Sequence, residues 1–271
     1  MRKSALLLCA PLLALATSAA RAEDSVLFND KPATGWIITV SGTTQLGPAY
    51  EGANVARLGV IPGISWRKVG EKADFSAPDD GLDYALINIG RFNAGPVGNF
   101  RAGRYLSDDK DLIGLKKIPW TVEGGAYAEF WPVEDVVRTR VEVRHGLHGH
   151  HGTLADFSAD LVQKIGAFRV SAGPRMEVAD EAFMRKNFGI SRRDSLRNGF
   201  LQPFDPNPGL KSFGAMVSAN YAWSESWNTT AFGRLDRLVG DAAKSPLVST
   251  IGQRNQLTVG IQMNYSFKVD F

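Results

Sequence analysis

Cysteine is almost absent from this sequence, which has a single one, Cys9, among its 271 residues. The rest of the chain therefore has no disulfide framework, no thiol nucleophile and no cysteine-ligated metal. Histidine is also rare, and all four histidines lie between positions 145 and 151. The catalytic motifs G-x-S-x-G and H-E-x-x-H and the P-loop are missing too. We predict a protein that is not an enzyme and has no catalytic residues and no cofactor.

Long apolar runs are missing after residue 22. No run there reaches the roughly 18 apolar residues that a membrane-spanning helix needs. The start of the chain is different, because two basic residues precede an apolar run over 5–16 and an A-x-A pattern ends at Ala22. These features predict a secretory signal peptide at 1–22 that is removed before Glu23. An uncleaved anchor is the alternative.

A charge excess is missing once residues 1–22 are set aside. They contain three of the 31 basic residues and no acid, so 31 − 3 = 28 basic residues face 28 acidic ones. The sequence pI of about 9.0 therefore reflects the targeting segment. We predict no nucleic-acid partner, because the remaining chain has no basic excess to attract one.

Alternating apolar and polar residues are abundant instead, most clearly at the C-terminus. From Leu257 to Phe271 every odd-numbered residue is apolar, and Thr258, Gly260 and the other even-numbered residues are polar or small. Such alternation puts one apolar face opposite one polar face in a strand. Similar alternation recurs in 137–144, 168–178 and 213–223.

Two architectures use this pattern: a soluble sheet with one solvated face, and a membrane barrel with an apolar outside and a polar lumen. Soluble strands average about 5–6 residues, whereas membrane-spanning strands need about 9–11. The alternating segments here mostly run 11 to 15 residues. Tryptophans near predicted strand ends suit an interfacial girdle; they are Trp36, Trp66, Trp120, Trp131, Trp223 and Trp227. We predict an all-β, antiparallel transmembrane β-barrel at 36–271 in outer-membrane lipid, after a short periplasmic segment at 23–35.

Short and long connections alternate along the chain, as expected when periplasmic turns are short and extracellular loops are longer. The pattern predicts twelve strands, with ten as the alternative. The largest connection, 179–211, is a long outer loop that either plugs the lumen or offers a partner surface. The predicted strands are 36–48, 57–67, 72–77, 82–90, 94–106, 119–131, 135–147, 154–165, 167–178, 212–223, 227–239 and 255–270.

Six charged residues on two neighbouring predicted strands are expected to face the lumen: Arg138, Arg140, Glu142, Arg144, Asp156 and Asp160. Opposite charges at matched spacing predict that Arg144 lies opposite Asp156 and Arg140 opposite Asp160. An arginine at mid-bilayer costs about 2–4 kcal/mol, more than the roughly 0.2–1 kcal/mol of a cross-strand pair. The cost of exposing an arginine to lipid therefore determines which face of the strand carries the charges. Cross-strand pairing then has a smaller effect on the register between the two strands. An ion-selective pore and a lumen filled by ion pairs are both consistent with these charges, and the mixed signs favour the second.

The histidine cluster is a candidate site for Zn²⁺ or Cu²⁺. It consists of His145, His148, His150 and His151. Its loop is rich in glycine, so the ligands would not be preorganised. We predict a solvated loop and no metal site.

The last strand carries a candidate assembly signal in Tyr265, Phe267 and the terminal Phe271. The barrel-insertion machinery reads aromatic residues of this kind in a final strand, so this machinery is an expected partner. Ordinary packing against lipid is the alternative interpretation, and both can hold.

Several stretches of the sequence resemble the MltA-interacting protein (MipA/OmpV) family of outer-membrane proteins in order and spacing. They are GPAYEG at 47–52, DGLDY at 80–84, AGP at 94–96, the histidine turn at 149–152, SAGP at 171–174, residues 182–190, GLK at 209–211 and LVGDAAKSPLV at 238–248. The resemblance implies a multi-pass barrel of the Gram-negative cell envelope. It also implies a scaffold role that links a lytic transglycosylase and a murein (peptidoglycan) synthase to the outer membrane.

The resemblance leaves two alternatives open, a narrow porin-like diffusion channel and a surface adhesin. It supplies no catalytic residues. The turn at 149–152 is richer in histidine than the family pattern.

Overall fold

The last strand of the chain shows how the wall of the molecule is built. Within Asn255–Val269, the odd-numbered residues from Leu257 to Phe267 are exposed, and Thr258, Gln262 and the other even-numbered residues up to Ser266 are partly or fully buried. An apolar face turned outward and a polar face turned inward is the arrangement of a barrel that contacts lipid.

A computed structural model describes residues 35–270, and its strands form one antiparallel sheet. The predicted fold class is confirmed, including the count of twelve strands. The predicted signal peptide at 1–22, residues 23–34 and Phe271 lie outside the described residues. The strands are β1 (Trp36–Pro48), β2 (Ala56–Lys68), β3 (Leu82–Asp83), β4 (Ile87–Ile89), β5 (Phe92–Arg101), β6 (Thr121–Val133), β7 (Val137–Gly146), β8 (Thr153–Ile165), β9 (Phe168–Ala179), β10 (Gly209–Ala222), β11 (Trp227–Leu238) and β12 (Asn255–Val269).

The sheet nearly closes, because its first and last long strands pair with each other. β1 runs antiparallel to β12, with Trp36 opposite Val269 and Leu46 opposite Val259. The strand order is β2-β1-β12-β11-β10-β9-β8-β7-β6-β5-β3, and β4 also pairs with β5. Within residues 35–270 no ladder joins β2 to β3 or β4. We call this unpaired boundary the seam.

The strand predicted at 72–77 is wrong, and the one predicted at 82–90 is split. Residues 72–77 form no strand, whereas β3 and β4 both pair with β5 and are separated by irregular backbone at 84–86. Six residues are too few to cross a membrane, which takes about 9–11. The chain leaves the wall after β2 and re-enters it at β3, so the wall lacks a strand at the seam.

Both described chain ends lie at the end of the barrel that has the short turns. Trp36 and Val269 are opposite each other there, and the turns between β6 and β7, β8 and β9, and β10 and β11 are also there. In outer-membrane barrels this is the periplasmic end.

The long connections at the other end fold together into a cap. They include α1 (Glu181–Phe188), α2 (Arg192–Asn198), α3 (Gly240–Lys244) and α4 (Pro246–Ser249). Two apolar clusters hold the cap, one around Tyr50, Leu112 and Leu247 and one around Phe183, Phe188 and Val248. No helix within 35–270 is long and apolar enough to cross a membrane.

Candidate functional site in the barrel lumen

Alternate residues of β7 place four charges inside the barrel. Arg138, Arg140, Glu142 and Arg144 are each at most 5% exposed, whereas Val143, between two of them, is 47% exposed. The alternation of the strand therefore separates the charges from the lipid. On β8, Asp160 is buried and Asp156 is half-buried. The structure thus places the six predicted lumen charges on the inner side of two neighbouring strands.

The register between these strands differs from the predicted one by two residues. Arg138 lies opposite Asp160, and Arg144 lies opposite Leu154 rather than Asp156. Because the shift is even, the facing of every side chain is unchanged. The Arg144 guanidinium still contacts the Asp156 carboxylate diagonally. Cross-strand pairing energies are small, and an arginine side chain reaches a diagonal partner, so charge matching alone did not determine the register.

Arg138 is the centre of the buried network. Its side chain is fully buried, and its three guanidinium nitrogens contact three different carboxylates. Nε lies 2.7 Å from Glu129, Nη2 lies 2.6 Å from Asp80, and Nη1 lies 3.3 Å from Asp160. A buried charge that is surrounded in this way is expensive to leave without its partners.

Residues 71–81, which follow β2, enter the lumen and supply part of this network; we call them the inserted segment. The Asp79 carboxylate lies 2.7 Å from Arg175 Nε and 3.0 Å from Arg234 Nη1. Asp80 contacts Arg138, as described above. Phe75 packs edge-on against Trp131, with ring centroids 6.3 Å apart. The inserted segment is therefore tied to strands on two sides of the lumen.

Sequence reasoning missed the inserted segment, although it carries a usable signal. Four aspartates lie between positions 74 and 83, at 74, 79, 80 and 83. The inward face of β7 has three arginines and one glutamate. A cationic lumen and a nearby acidic stretch that is too short for a spanning strand together indicate insertion. Asp83, at the start of the return into the wall, lies 2.5 Å from Arg140.

A second group of ion pairs fills the lumen beneath the cap. Glu51 Oε1 lies 2.6 Å from Arg101 Nη1 and 2.7 Å from Lys211 Nζ. Arg101 also contacts Glu123 at 2.7 Å, and Lys211 also contacts Glu177. Ion pairs therefore fill the charged side of the lumen both beside the inserted segment and beneath the cap.

The opposite side of the lumen is uncharged. No acidic or basic residue occurs in β1, in residues 58–66 of β2, or in residues 255–267 of β12. Hydroxyl and amide side chains line this side, among them Thr43, Gln262 and Asn264. A cavity of about 1700 Å³ extends from these strands to the inserted segment and to charged residues of the facing strands, such as Arg140 and Arg175.

The histidines do not gather into one site. His145 and His151 are exposed, and exposed His148 packs against Trp120 with ring centroids 4.6 Å apart. His150 is only 2% exposed, so the expected solvated loop is wrong for this residue. Its Nδ1 accepts the Gly152 N–H at 3.2 Å, and its Nε2 lies 3.0 Å from Glu123 Oε1. This geometry assigns the proton to Nε2. Within 35–270 no three metal-ligating side chains are grouped.

One of the tryptophans expected in the aromatic girdle points inward. Trp131 is 9% exposed, and its indole N–H donates to Glu129 at 2.8 Å. Trp66, Trp120 and Trp227 are more than 40% exposed. At the periplasmic end, the ring of Tyr265 stacks on that of Phe267, with centroids 5.9 Å apart.

The long loop 179–211 lies in the cap, and the segment that enters the lumen is a different one. In the loop 179–211, the Asn187 carbonyl accepts a hydrogen bond of 2.7 Å from Arg104. Burial lowers the pKa of Arg104 to about 10. Burial and the adjacent Asp109 carboxylate raise the pKa of Tyr50 above its ordinary value. The cap is therefore a packed structure with buried polar groups of its own.

Several stretches that carry the family resemblance meet in this cap. Residues from 47–52, 182–190 and 238–248 occur together in its two apolar clusters. The family model described as MltA-interacting protein MipA matches residues 40–267, which confirms the resemblance. No curated protein matches the chain. The family match and the apolar outer wall make the molecule an integral outer-membrane β-barrel protein.

Solved outer-membrane proteins resemble the chain weakly. An outer-membrane channel from Pseudomonas putida F1 is 10% identical, with a TM-score of 0.39, and the match covers 90% of this chain and 100% of that one. The channel DcaP of Acinetobacter baumannii is 8% identical, with a TM-score of 0.35 and coverages of 86% and 96%. Neisserial surface protein A is 9% identical, with a TM-score of 0.28 and coverages of 88% and 100%.

Proposed function

Because the chain belongs to the MltA-interacting protein MipA family, we propose that this outer-membrane barrel is a non-enzymatic scaffold. Its periplasmic turns hold a lytic transglycosylase near a peptidoglycan synthase, and its wall anchors both to the outer membrane. The description of the family names the interaction with MltA. The peptidoglycan synthase is the second partner in the proposal.

The observation that carries the proposal is the ion-pair network that fills one side of the lumen beneath a packed cap. The inserted segment and its ion pairs occupy the charged side of the lumen. A protein built chiefly for solute flow would leave this space open. The short turns remain as the surface that faces the murein layer and its enzymes.

Two periplasmic turns offer contact surface of mixed character. Near the turn between β6 and β7, Val133 is 50% exposed and Asp135 pairs with Lys72 of the inserted segment. At the turn between β10 and β11, Trp223 is 68% exposed and precedes the exposed Glu225. Exposed aromatic and apolar side chains beside charges are typical of transient interfaces.

Replacing the turns is expected to abolish capture of the transglycosylase. We would exchange 134–136 and 223–226, which connect β6 to β7 and β10 to β11, for glycine-serine turns of the same length and measure capture of purified transglycosylase by the barrel in nanodiscs. Loss of the contacts should weaken binding at least about tenfold. Alanine at Arg192 and Arg193, exposed in the cap, is the matched control. Undiminished capture by the turn variant would contradict the scaffold role.

A narrow diffusion channel is the second candidate function, and the cavity of about 1700 Å³ favours it. Discrete conductance steps of the wild-type barrel in planar bilayers would support this candidate over the scaffold. If the inserted segment closes the lumen, no conductance steps are expected.

The aromatic end of β12 is proposed to be the signal for the barrel-insertion machinery. Tyr265 and Phe267 are exposed on its outer face at the periplasmic end, and Phe271 follows outside the described residues. Deleting Phe271 is expected to lower the amount of folded barrel in the outer membrane several-fold, read by heat-modifiable migration. The control is Lys268→Gln, which removes a nearby charge but no aromatic residue and should leave the amount of folded barrel unchanged. A wild-type yield without Phe271 would refute the signal.

A further inference from the structure

The seam leaves one edge of β2 without a hydrogen-bonded strand partner. β2 is 13 residues long and pairs with β1 along one edge only. Its other edge faces β3, of two residues, and β4, of three. Pro62 lies in β2, and proline within a sheet is confined to edges, first positions and bulges. At bilayer depth, unpaired backbone groups are tolerated only where they meet protein or a water-filled cavity.

The cavity extends to residues on both margins of this seam. Inward-facing Gly59 and Gly63 line it, and so do outward-facing Val60 and Ile64 of the same strand. Val60 is 72% exposed and Ile64 is 45% exposed. Leu82 lies across the seam and also lines the cavity.

Two contacts frame the seam. Arg57 Nη1 lies 3.1 Å from Asp108 of the cap, at the outer end of β2. The rings of Trp66 and Tyr84 stack, with centroids 6.1 Å apart, near the periplasmic end. Between these contacts the edges carry apolar side chains, so the seam has an apolar rim.

The side of the cavity beside the seam is uncharged, and its other side is lined by ion-paired residues that include Arg140, Glu142 and Arg175. Thr39, Ser41, Thr43 and Gln45 of β1 line the cavity, and the neighbouring stretches of β2 and β12 have no acid or base. Hydroxyls and amides both donate and accept hydrogen bonds. They suit a ligand head group with several hydroxyls and no net charge. The volume of about 1700 Å³ exceeds the roughly 300–1,000 Å³ of ordinary ligand pockets.

We propose that the uncharged side of the lumen binds a neutral single-chain amphiphile, with a hydroxyl-rich head group, that enters from the membrane through the seam. The apolar rim accepts the hydrocarbon chain while the head group reaches the hydroxyls and amides of β1 and β12. This site is independent of the scaffold role, because it uses neither the periplasmic turns nor the cap.

The test uses the full barrel in phosphatidylcholine nanodiscs, in a Cys9→Ser background. A fluorophore on Thr43→Cys reports from the lumen, and one on Val40→Cys reports from the lipid-facing side of the same strand. The probe is dodecyl glucoside with a nitroxide on its alkyl chain. Saturable quenching at position 43, reversed by unlabelled dodecyl glucoside, is expected; quenching at position 40 should not saturate.

Two glycines provide a matched pair of blocking variants. A Cβ at lumen-facing Gly59 would meet only Gln45, at 3.8 Å, and one at lipid-facing Gly42 would meet nothing within 4 Å. Gly59→Trp should weaken the saturable quenching about tenfold, and Gly42→Trp should leave it unchanged.

Three results would overturn the proposal: no saturable quenching at position 43, equal competition by dodecyltrimethylammonium, or equal competition by glucose. Equal competition by dodecyltrimethylammonium would reject the neutral head group, and equal competition by glucose would reject entry from the membrane. Should Gly59→Trp fail to fold, judged by heat-modifiable migration, the competition experiments still decide.

Discussion

Replacing Arg138 with alanine is expected to cost the folded barrel about 3–5 kcal/mol of unfolding free energy. The substitution removes one buried guanidinium and leaves Glu129, Asp80 and Asp160 without a shared cation in a water-poor interior. The unfolding free energy of Arg138→Lys should lie between those of the wild type and Arg138→Ala. An ammonium keeps the charge but cannot bond all three carboxylates in a fixed planar geometry. Urea unfolding of the barrel in lipid vesicles measures the difference.

The exposed Arg193→Ala variant is the control for Arg138, since exposed charges usually contribute within about 0.5 kcal/mol. If Arg138→Ala unfolds at the same urea concentration as this control, the network does not stabilise the barrel. The account of the lumen as a structural core would then fail.

The double variant Asp79→Asn, Asp80→Asn is expected to release the inserted segment and turn a silent barrel into a conducting one. These two carboxylates pair with Arg175, Arg234 and Arg138. Amides keep the shape and remove the charge that offsets the buried arginines. Planar-bilayer recording should show frequent conductance steps in the variant and none in the wild type. Proteolysis should also cut the variant within 71–81 faster than it cuts the wild type.

Asp135→Asn is the matched control, because Asp135 pairs with Lys72 in an exposed position at the periplasmic turn. Exposed pairs of this kind contribute about 0–1 kcal/mol, so the control should stay silent. A double variant that also stays silent, with wild-type protection of 71–81, would show that these aspartates do not hold the segment.

The wall of the barrel could be predicted from the sequence because lipid acts on every second residue. β12 alternates from Leu257 to Val269, which is longer than soluble strands usually are and long enough to cross a membrane. The facing of Arg138 and Arg140 follows from the same rule. The register between β7 and β8 does not, because a shift of two residues keeps each side chain on its face and changes only small pairing energies.

The inserted segment could not be predicted from alternation. The stretch 72–77 alternates weakly for six residues, and its neighbours Asp79 and Asp80 find partners on β7, β9 and β11, far away in sequence. The burial of His150 and the inward direction of Trp131 likewise depend on Glu123 and Glu129, which neither residue identifies by spacing alone. The partners of Asp79, Asp80 and His150 are far away in sequence, so these contacts become visible only in three dimensions.

The most direct test of the account places a single fluorophore, by cysteine substitution, at each residue from 72 to 78 in turn. Quenching by brominated acyl chains then reports contact with lipid, and residues 257–263 of β12 serve as the reference. Weak lipid quenching is expected at all seven positions, because residues 72–78 lie in the lumen or at the periplasmic turn and not in the wall, and strong quenching is expected at every second reference position. Quenching that alternates along 72–78 as it does along β12 would place these residues in the wall and would show that they do not enter the lumen.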